Sequence, residues 1–526
     1  MFICLLPCKG FNLYNSFALE YKKVDAGVCE IVYNNTIKNK GLLLKSNTAM
    51  RNAVNNSNDT LLIQKYDDWI TLKKQIAKEY SKGEDTKELE LQANELEGYL
   101  VTNSNEFSDF KKVQSINWKQ VQTGLNKNEV AIEFLNFPLL IPDSSLTEFT
   151  SQTQYTALII SKESKYPKMI PLFKEKQLEK IIGEFGGNNY SYINNIYGKN
   201  KEVNTELYNL IWKPMEEHLK DIKTVYLSPS GLLHKISFSA IAREQNIYLC
   251  DEYNIEMKSS TGKLVTPESS LFNKGMTCSL YGGINYNSDS TDTEIWKYLE
   301  GTKSEVQRIE SILSKKKLNV SFAIDQFATE EMFKEQASNS DIIHIATHGF
   351  FYPDPKEVKQ DSAKEEKTEH GDLVFRGGNN GFGVWSFVKN PNPLMRSGLV
   401  LAGANDVWNR EEQTEGEDGV LTAQEVAHID MRKTNLVVMS ACETGLGDIK
   451  GSEGVYGLQR AFKMAGVKFL IMSLWQVPDK ETEEFMTTFY TKLLKLKDIK
   501  QAFNHTQKEM RDKYDPYFWA AFVLIE

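Results

Sequence analysis

Cysteine and histidine are scarce in this chain, with six and seven copies among 526 residues. Cys4, Cys8, Cys29, Cys250, Cys278 and Cys442 include no C-x-x-C pair, and the histidines form no H-E-x-x-H. So thin a scatter excludes a disulfide framework and a structural zinc site, and a reducing compartment follows. No metal and no cofactor is expected. A basic surplus is missing as well: 62 Lys and Arg stand against 71 Asp and Glu, a net charge of −9. Wrapping nucleic acid needs a basic footprint, so direct nucleic-acid binding is not expected. No run approaches the roughly 20 apolar residues that cross a bilayer, so no membrane association is expected. The opening MFICLLPCKGF is apolar like a signal peptide, but it lacks a basic n-region and Pro7 interrupts it. The chain is therefore read as cytoplasmic. What is present in ordinary amount is core material: 41% hydrophobic and 25% charged residues. At about 150 residues per domain this argues for roughly three or four domains.

The first hundred residues have helical periodicity. Leu62, Tyr66, Trp69, Ile70, Ile76 and Tyr80 form one stripe, and Leu89, Ala93, Leu96 and Leu100 a second after Ser81-Lys82-Gly83. Two amphipathic helices joined by a short link make an αα-hairpin, a packing element without chemistry. From about residue 116 the period shortens. Val130-Ala-Ile-Glu-Phe-Leu, Tyr155-Thr-Ala-Leu-Ile-Ile and Thr224-Val-Tyr-Leu read as strands, with helix-compatible stretches at 176–186 and 203–220. His234 follows the turn Ser228-Pro-Ser-Gly, but no cysteine lies at a suitable strand end nearby, so it is read as structural.

A second α/β unit starts near Gly275. Its strands are Cys278-Ser-Leu-Tyr, Val320-Ser-Phe-Ala-Ile, Asp341-Ile-Ile-His-Ile-Ala, Leu436-Val-Val-Met-Ser and Lys468-Phe-Leu-Ile-Met-Ser. Helices are expected at Thr302 to Leu313, capped by Ser304 or Thr302, at Glu330 to Ala337, at 453–465 and at 480–497. Apolar strands alternating with helices predict a mostly parallel sheet covered on both faces. Between the third and fourth strands, KEVKQDSAKEEKTEH at 356–370 places nine charged side chains in fifteen. The insertion 353–394 is read either as a tolerated surface loop or as a segment that covers the site or is cut on activation.

Open parallel sheets place their sites at the carboxyl ends of strands. Two such ends carry reactive residues, His348 followed by Gly349, and Cys442 followed by Glu443. If the strands are neighbours, a thiol and an imidazole 94 positions apart in sequence meet at one rim. The imidazole removes the thiol proton and returns one to the leaving amine, while the N–H groups of Gly349 and Cys442 face the oxyanion. Set against this, a lone cysteine after an apolar strand is usually a small buried hydrophobe. His344 lies inside its strand and is expected to pack there, and His428 has no evident partner.

The runs Ile343-His344-Ile-Ala-Thr-His348-Gly349, Arg396-Ser-Gly-Leu-Val-Leu-Ala-Gly-Ala-Asn405 and Val438-Met-Ser-Ala-Cys442-Glu-Thr-Gly-Leu-Gly447 resemble the CHAT peptidases. So do Glu453-Gly-Val-Tyr-Gly-Leu-Gln-Arg-Ala-Phe462, Ser473-Leu-Trp-Gln-Val-Pro-Asp479 and Pro516-Tyr-Phe-Trp-Ala-Ala-Phe-Val-Leu524. The motifs cover roughly 275–526. CHAT domains are relatives of caspases, gingipains and separases, so the resemblance implies a caspase-like sheet at 273–526 with His348 as base and Cys442 as nucleophile. It also implies a pseudo-protease α/β unit at 116–272 and, at 1–115, a helical connector of the kind that follows TPR repeats, although no run of complete TPR units is present here.

The activity so implied is that of a cysteine endopeptidase acting on a protein substrate through a thioester. In bacteria such enzymes often serve defence or regulated cell death, with a gasdermin-like or other protein target and an upstream sensor or activator. Relatives that cleave after basic residues use a carboxylate in the S1 pocket. Glu443, Asp448, Glu453 and Asp479 lie near the site in sequence, and Trp475 offers a hydrophobic wall. Solvated surface roles are the ordinary alternative for any one of these acids. The competing reading of the whole chain is a non-catalytic interaction scaffold with a protease-like fold. Glutaminase-type chemistry needs the same dyad but lacks the flanking motifs.

Overall fold

Short apolar runs separated by amphipathic helices assemble here into one large sheet. The computed structural model describes residues 5–41, 44, 50–51, 54, 57, 59–81, 86–103, 115–140, 149–183, 189–199, 202–273, 275–287, 295–352, 390, 392–405, 417–441, 448–449 and 455–526. The helices that come first include α1 (Leu5–Tyr21), α2 (Val28–Asn39), α3 (Thr60–Ser81) and α4 (Lys87–Asn103). The expected hairpin is α3 with α4, and it closes a core of its own from Val54, Leu62, Trp69, Ala93 and Leu100. The link at 82–85 lies outside the described residues. Helices α1 and α2 bury Ala18, Val32 and Tyr33 against strand residues Ala131, Leu135, Leu158 and Ile160. Among the described residues no helix is long and apolar enough to cross a membrane.

The first unit supplies β1 (Glu129–Leu140), β2 (Phe149–Ser161), β3 (Lys168–Lys174), β4 (Thr224–Ser228) and β5 (Asn254–Met257), with α5 (Glu175–Ile182) after β3. The stretch expected as a helix at 203–220 is instead a π turn, Tyr208–Trp212, running into a 3-10 helix, Lys213–His218. Pro214 explains the break, since it has no N–H to donate to a continuing helix.

The second unit supplies β6 (Thr277–Ile284), α6 (Glu300–Ser314), β7 (Asn319–Asp325), α7 (Glu330–Ala337), β8 (Ile342–Ala346), β9 (Gly349–Phe351) and β10 (Ser397–Val400). It continues with β11 (Val420–Thr422), α8 (Ala423–Val426), β12 (Leu436–Ser440), α9 (Leu458–Ala465), β13 (Phe469–Ser473), α10 (Asp479–Leu496), α11 (Ile499–Arg511) and β14 (Phe522–Ile525). The charged run 356–370 lies outside the described residues.

Among the described residues eleven strands form one sheet in the order β7-β6-β8-β12-β13-β14-β5-β4-β1-β2-β3. The pairings are parallel except β1 with β2, β2 with β3, and β13 with β14. Strands β8, β12 and β13 are buried along their whole length, as expected of strands covered on both faces. The seam between the units is β14, antiparallel to β13 and parallel to β5. There Glu526, buried, ion-pairs with Lys258 at 2.5 Å and Lys500 at 2.9 Å. A three-stranded antiparallel sheet, β9-β10-β11, stands beside the main sheet and carries the residues after His348.

Candidate active site

Strands β8 and β12 are neighbours, parallel and in register, with Ile342 opposite Leu436 and Ala346 opposite Ser440. Their carboxyl ends share one rim. His348 follows Ala346 by two residues, and Cys442 follows Ser440 by two in the chain. Cys442 and Glu443 lie outside the described residues, as does Glu453.

The His348 imidazole is buried between two aromatic rings, Tyr286 at 5.1 Å and Trp296 at 5.3 Å between centroids. Its Nε2 lies 2.7 Å from the backbone carbonyl of Lys297. A carbonyl only accepts, so Nε2 carries the proton and, in the neutral ring, Nδ1 is the acceptor nitrogen. Asn405 holds the segment that supplies this carbonyl. Its side chain accepts from the Trp296 N–H at 2.8 Å and donates to the Trp296 carbonyl at 3.0 Å. Lys297 and Asn405 were not singled out from sequence. Asn405 ends one of the motifs, but a backbone carbonyl carries no signature in sequence.

Gly349 opens β9 opposite Leu399. The Val400 N–H donates to the His348 carbonyl at 3.0 Å and the Tyr352 N–H to the Arg396 carbonyl at 2.7 Å. The ladder bonds therefore fall on residues 348 and 352 and on the alternate position between them, Phe350. In an antiparallel ladder this turns the Gly349 N–H away from β10.

Beneath the rim lies a buried polar network. His344, inside β8 as expected, sets Nε2 2.9 Å from Glu305 Oε1 and Nδ1 3.3 Å from the Tyr490 hydroxyl. Glu305 Oε2 also accepts from Ser440 Oγ at 3.1 Å, and the Ala441 carbonyl accepts from Ser473 Oγ at 2.7 Å. The two residues before Cys442 are thus tied to α6 and β13.

Trp475 is buried, with its indole N–H donated to the Tyr517 carbonyl at 2.8 Å and its ring 5.7 Å from that of Tyr197. Asp479 opens α10 on the surface, where Oδ2 accepts from the Gly301 N–H at 3.3 Å. Asp448 belongs to a two-residue strand paired with 455–456. His428 has Gln424 Nε2 at 2.9 Å from its own Nε2. Burial, then the nearby Lys40, pushes His234 down to about 3, so its ring is neutral. The caps expected for α6 are replaced: the helix starts at Glu300, and Thr302 Oγ1 instead donates to the Leu299 carbonyl and accepts from the Gly283 N–H.

A mostly parallel sheet flanked by helices, with a histidine just past the carboxyl end of one of two neighbouring parallel strands, is an α/β architecture with a site at a strand rim. A match to the CHAT domain family spans residues 201–526, more than half of the chain, and the protein belongs to that family. Tetratricopeptide repeat protein 28 of Homo sapiens is 22% identical over 338 residues, covering 61% of this chain and 13% of the human protein. Its Mus musculus counterpart is 24% identical over 238 residues, covering 44% and 9%. The chain thus spans a small part of the length of these relatives. Among solved structures, the separase of the Saccharomyces cerevisiae separase–securin complex aligns over 80% of this chain and 31% of its own, at 11% identity and a TM-score of 0.41. The Arg specific cysteine proteinase gingipain R aligns over 60% and 67%, at 8% identity and a TM-score of 0.34.

Proposed function

We propose that the protein is a cysteine endopeptidase in which Cys442 is the nucleophile and His348 the general base. The observation that carries this reading is the bond from His348 Nε2 to the Lys297 carbonyl, which fixes the tautomer with Nδ1 as proton acceptor. The equal step of two residues from the register pair Ala346 and Ser440 to His348 and Cys442 supports their meeting. The thiol proton passes to Nδ1, and the thiolate forms a C–S bond to the scissile carbonyl carbon. The N–H groups of Gly349 and Cys442 then receive the oxyanion. The imidazolium returns its proton to the departing amine, and water, deprotonated by the same ring, hydrolyses the thioester. A protein substrate, an upstream sensor or activator, and service in bacterial defence or regulated cell death (a gasdermin-like target among them) belong to the same proposal.

The test is an irreversible thiol-directed peptide probe together with cleavage of a proteome-derived peptide mixture. Wild type is expected to be labelled at Cys442. Burial raises the Cys29 thiol and pushes Cys250 and Cys278 up to about 12, so these three should stay unlabelled. Cys442→Ala and His348→Ala should each lower kcat/KM by about a thousandfold or more. Cleavage by Cys442→Ala equal to wild type would remove the nucleophile assignment, and a wild type that neither cleaves nor is labelled at Cys442 would leave a non-catalytic scaffold.

A further inference from the structure

A cavity of about 370 Å³ lies between the α3–α4 hairpin and the face of the second unit that carries α8 and residues 390–394. Its walls are partly apolar, with Tyr66 and Ile70 on one side and Leu394 on the other. Its polar groups include donors that have nothing to donate to among the described residues. Arg51 is 4% exposed, and among the described residues its Nε and Nη2 have no partner. Its Nη1 reaches the Ile429 carbonyl at 3.4 Å. The Trp69 indole N–H and the Asn390 amide nitrogen, on residues 9% and 2% exposed, are also unpartnered. Lys73 lines the same space, its ammonium 5.6 Å from the centre of the Trp69 ring.

An unpartnered buried N–H sacrifices its hydration without return, and a buried guanidinium cannot escape by losing its proton. Folded proteins pair such a charge with an anion. Among the described residues the carboxylate that acts on Arg51 is that of Asp430, and it is already paired with Arg432 at 2.8 Å. Glu90 and Glu97 line the cavity from α4, but Glu90 is exposed and takes the Thr86 hydroxyl at 2.9 Å. The donors thus await acceptor atoms from a molecule that enters, and the aromatic and aliphatic walls suit a flat apolar body behind them.

We propose that this cavity binds a small organic anion, a carboxylate or phosphate on an apolar body, with its charged group on Arg51 and its acceptor oxygens shared by Trp69 and Asn390. A planar guanidinium with two open N–H groups matches the paired oxygens of either head group. The site is separate from the His348 rim and independent of any peptidase activity.

The experiment is calorimetric titration of the full chain with phenyl phosphate and, separately, benzoate, at an ionic strength held constant with sodium chloride. Saturable binding of at least one of the two is expected, and the one that binds identifies the head group. Arg51→Lys should bind about tenfold more weakly, because the charge stays and the fork is lost. Arg51→Met should not bind, and in the absence of anion it should melt no lower than wild type, because it removes an unpaired buried charge. Absence of saturable binding by both anions, or equal binding by Arg51→Met, overturns the proposal. So does a ligand-free Arg51→Met that melts well below wild type, which would make Arg51 a structural donor to Ile429.

Discussion

Two histidines four positions apart have opposite circumstances. His344 points from within a strand into the buried network of Glu305 and Tyr490. His348 has passed the strand end, and its ring is gripped by one backbone carbonyl and two aromatic faces. The packing of His344 was legible from position, since a histidine inside an apolar strand is buried with it. What holds the rim histidine was not legible, because Lys297 acts through its backbone. The dependence is testable through Asn405. Asn405→Ala leaves the buried Trp296 peptide groups without their partners, which costs about 2 kcal/mol. The expected outcome is a lower melting temperature together with slower probe labelling of Cys442. A variant that melts lower but labels at the wild-type rate would show that Asn405 serves stability alone.

At the scale of elements, α6 and α10 start against each other. A Cβ at Gly301 would lie 2.3 Å from Asp479 Cβ, too close for both backbones to stay in place. Gly301→Ala should therefore destabilise the protein by about 1–3 kcal/mol, read as a lower urea midpoint. An unchanged midpoint would mean that the two helix starts move apart freely. At the same contact the Asp479 carboxylate accepts from the Gly301 N–H. Helix periodicity placed α3, α4, α6, α7 and α10 well, since long amphipathic stripes are a strong signal. The strands β3 and β5 went unseen. β3 is an edge strand containing Pro171, and β5 has only four residues, Asn254–Met257, so neither presents a long alternating run.

At the scale of the molecule, the two α/β units are one sheet because β14 inserts between β13 and β5. Its Glu526 carboxylate anchors the seam. Burial works against its ionisation, but Lys258 and Lys500 outweigh this and hold it down at about 2. A depressed carboxylate stabilises the fold above its ordinary value of 4.5, and the contribution is lost as the pH falls towards 2. Glu526→Gln should cost about 3 kcal/mol near neutrality, because Lys258 stays buried with only the more distant Glu256. Denaturation followed between pH 7 and pH 3 should show the stabilities of wild type and variant converging in acid. A gap that stays constant with pH would exclude the ion pair as its source.

The residues by themselves determined the α/β class, the hairpin, the helices of the second unit and the strand end that His348 follows. These are consequences of local periodicity and of the rule that parallel sheets expose chemistry at strand ends. The tertiary structure alone decided the adjacency and register of β8 and β12, the grip of Lys297 and Asn405 on the His348 segment, the burial of Trp475, and the convergence of Arg51, Trp69 and Asn390 on one cavity. Each of these joins groups far apart in the chain, and such contacts are set by packing and by the satisfaction of buried polar atoms, which leave no periodic trace in sequence.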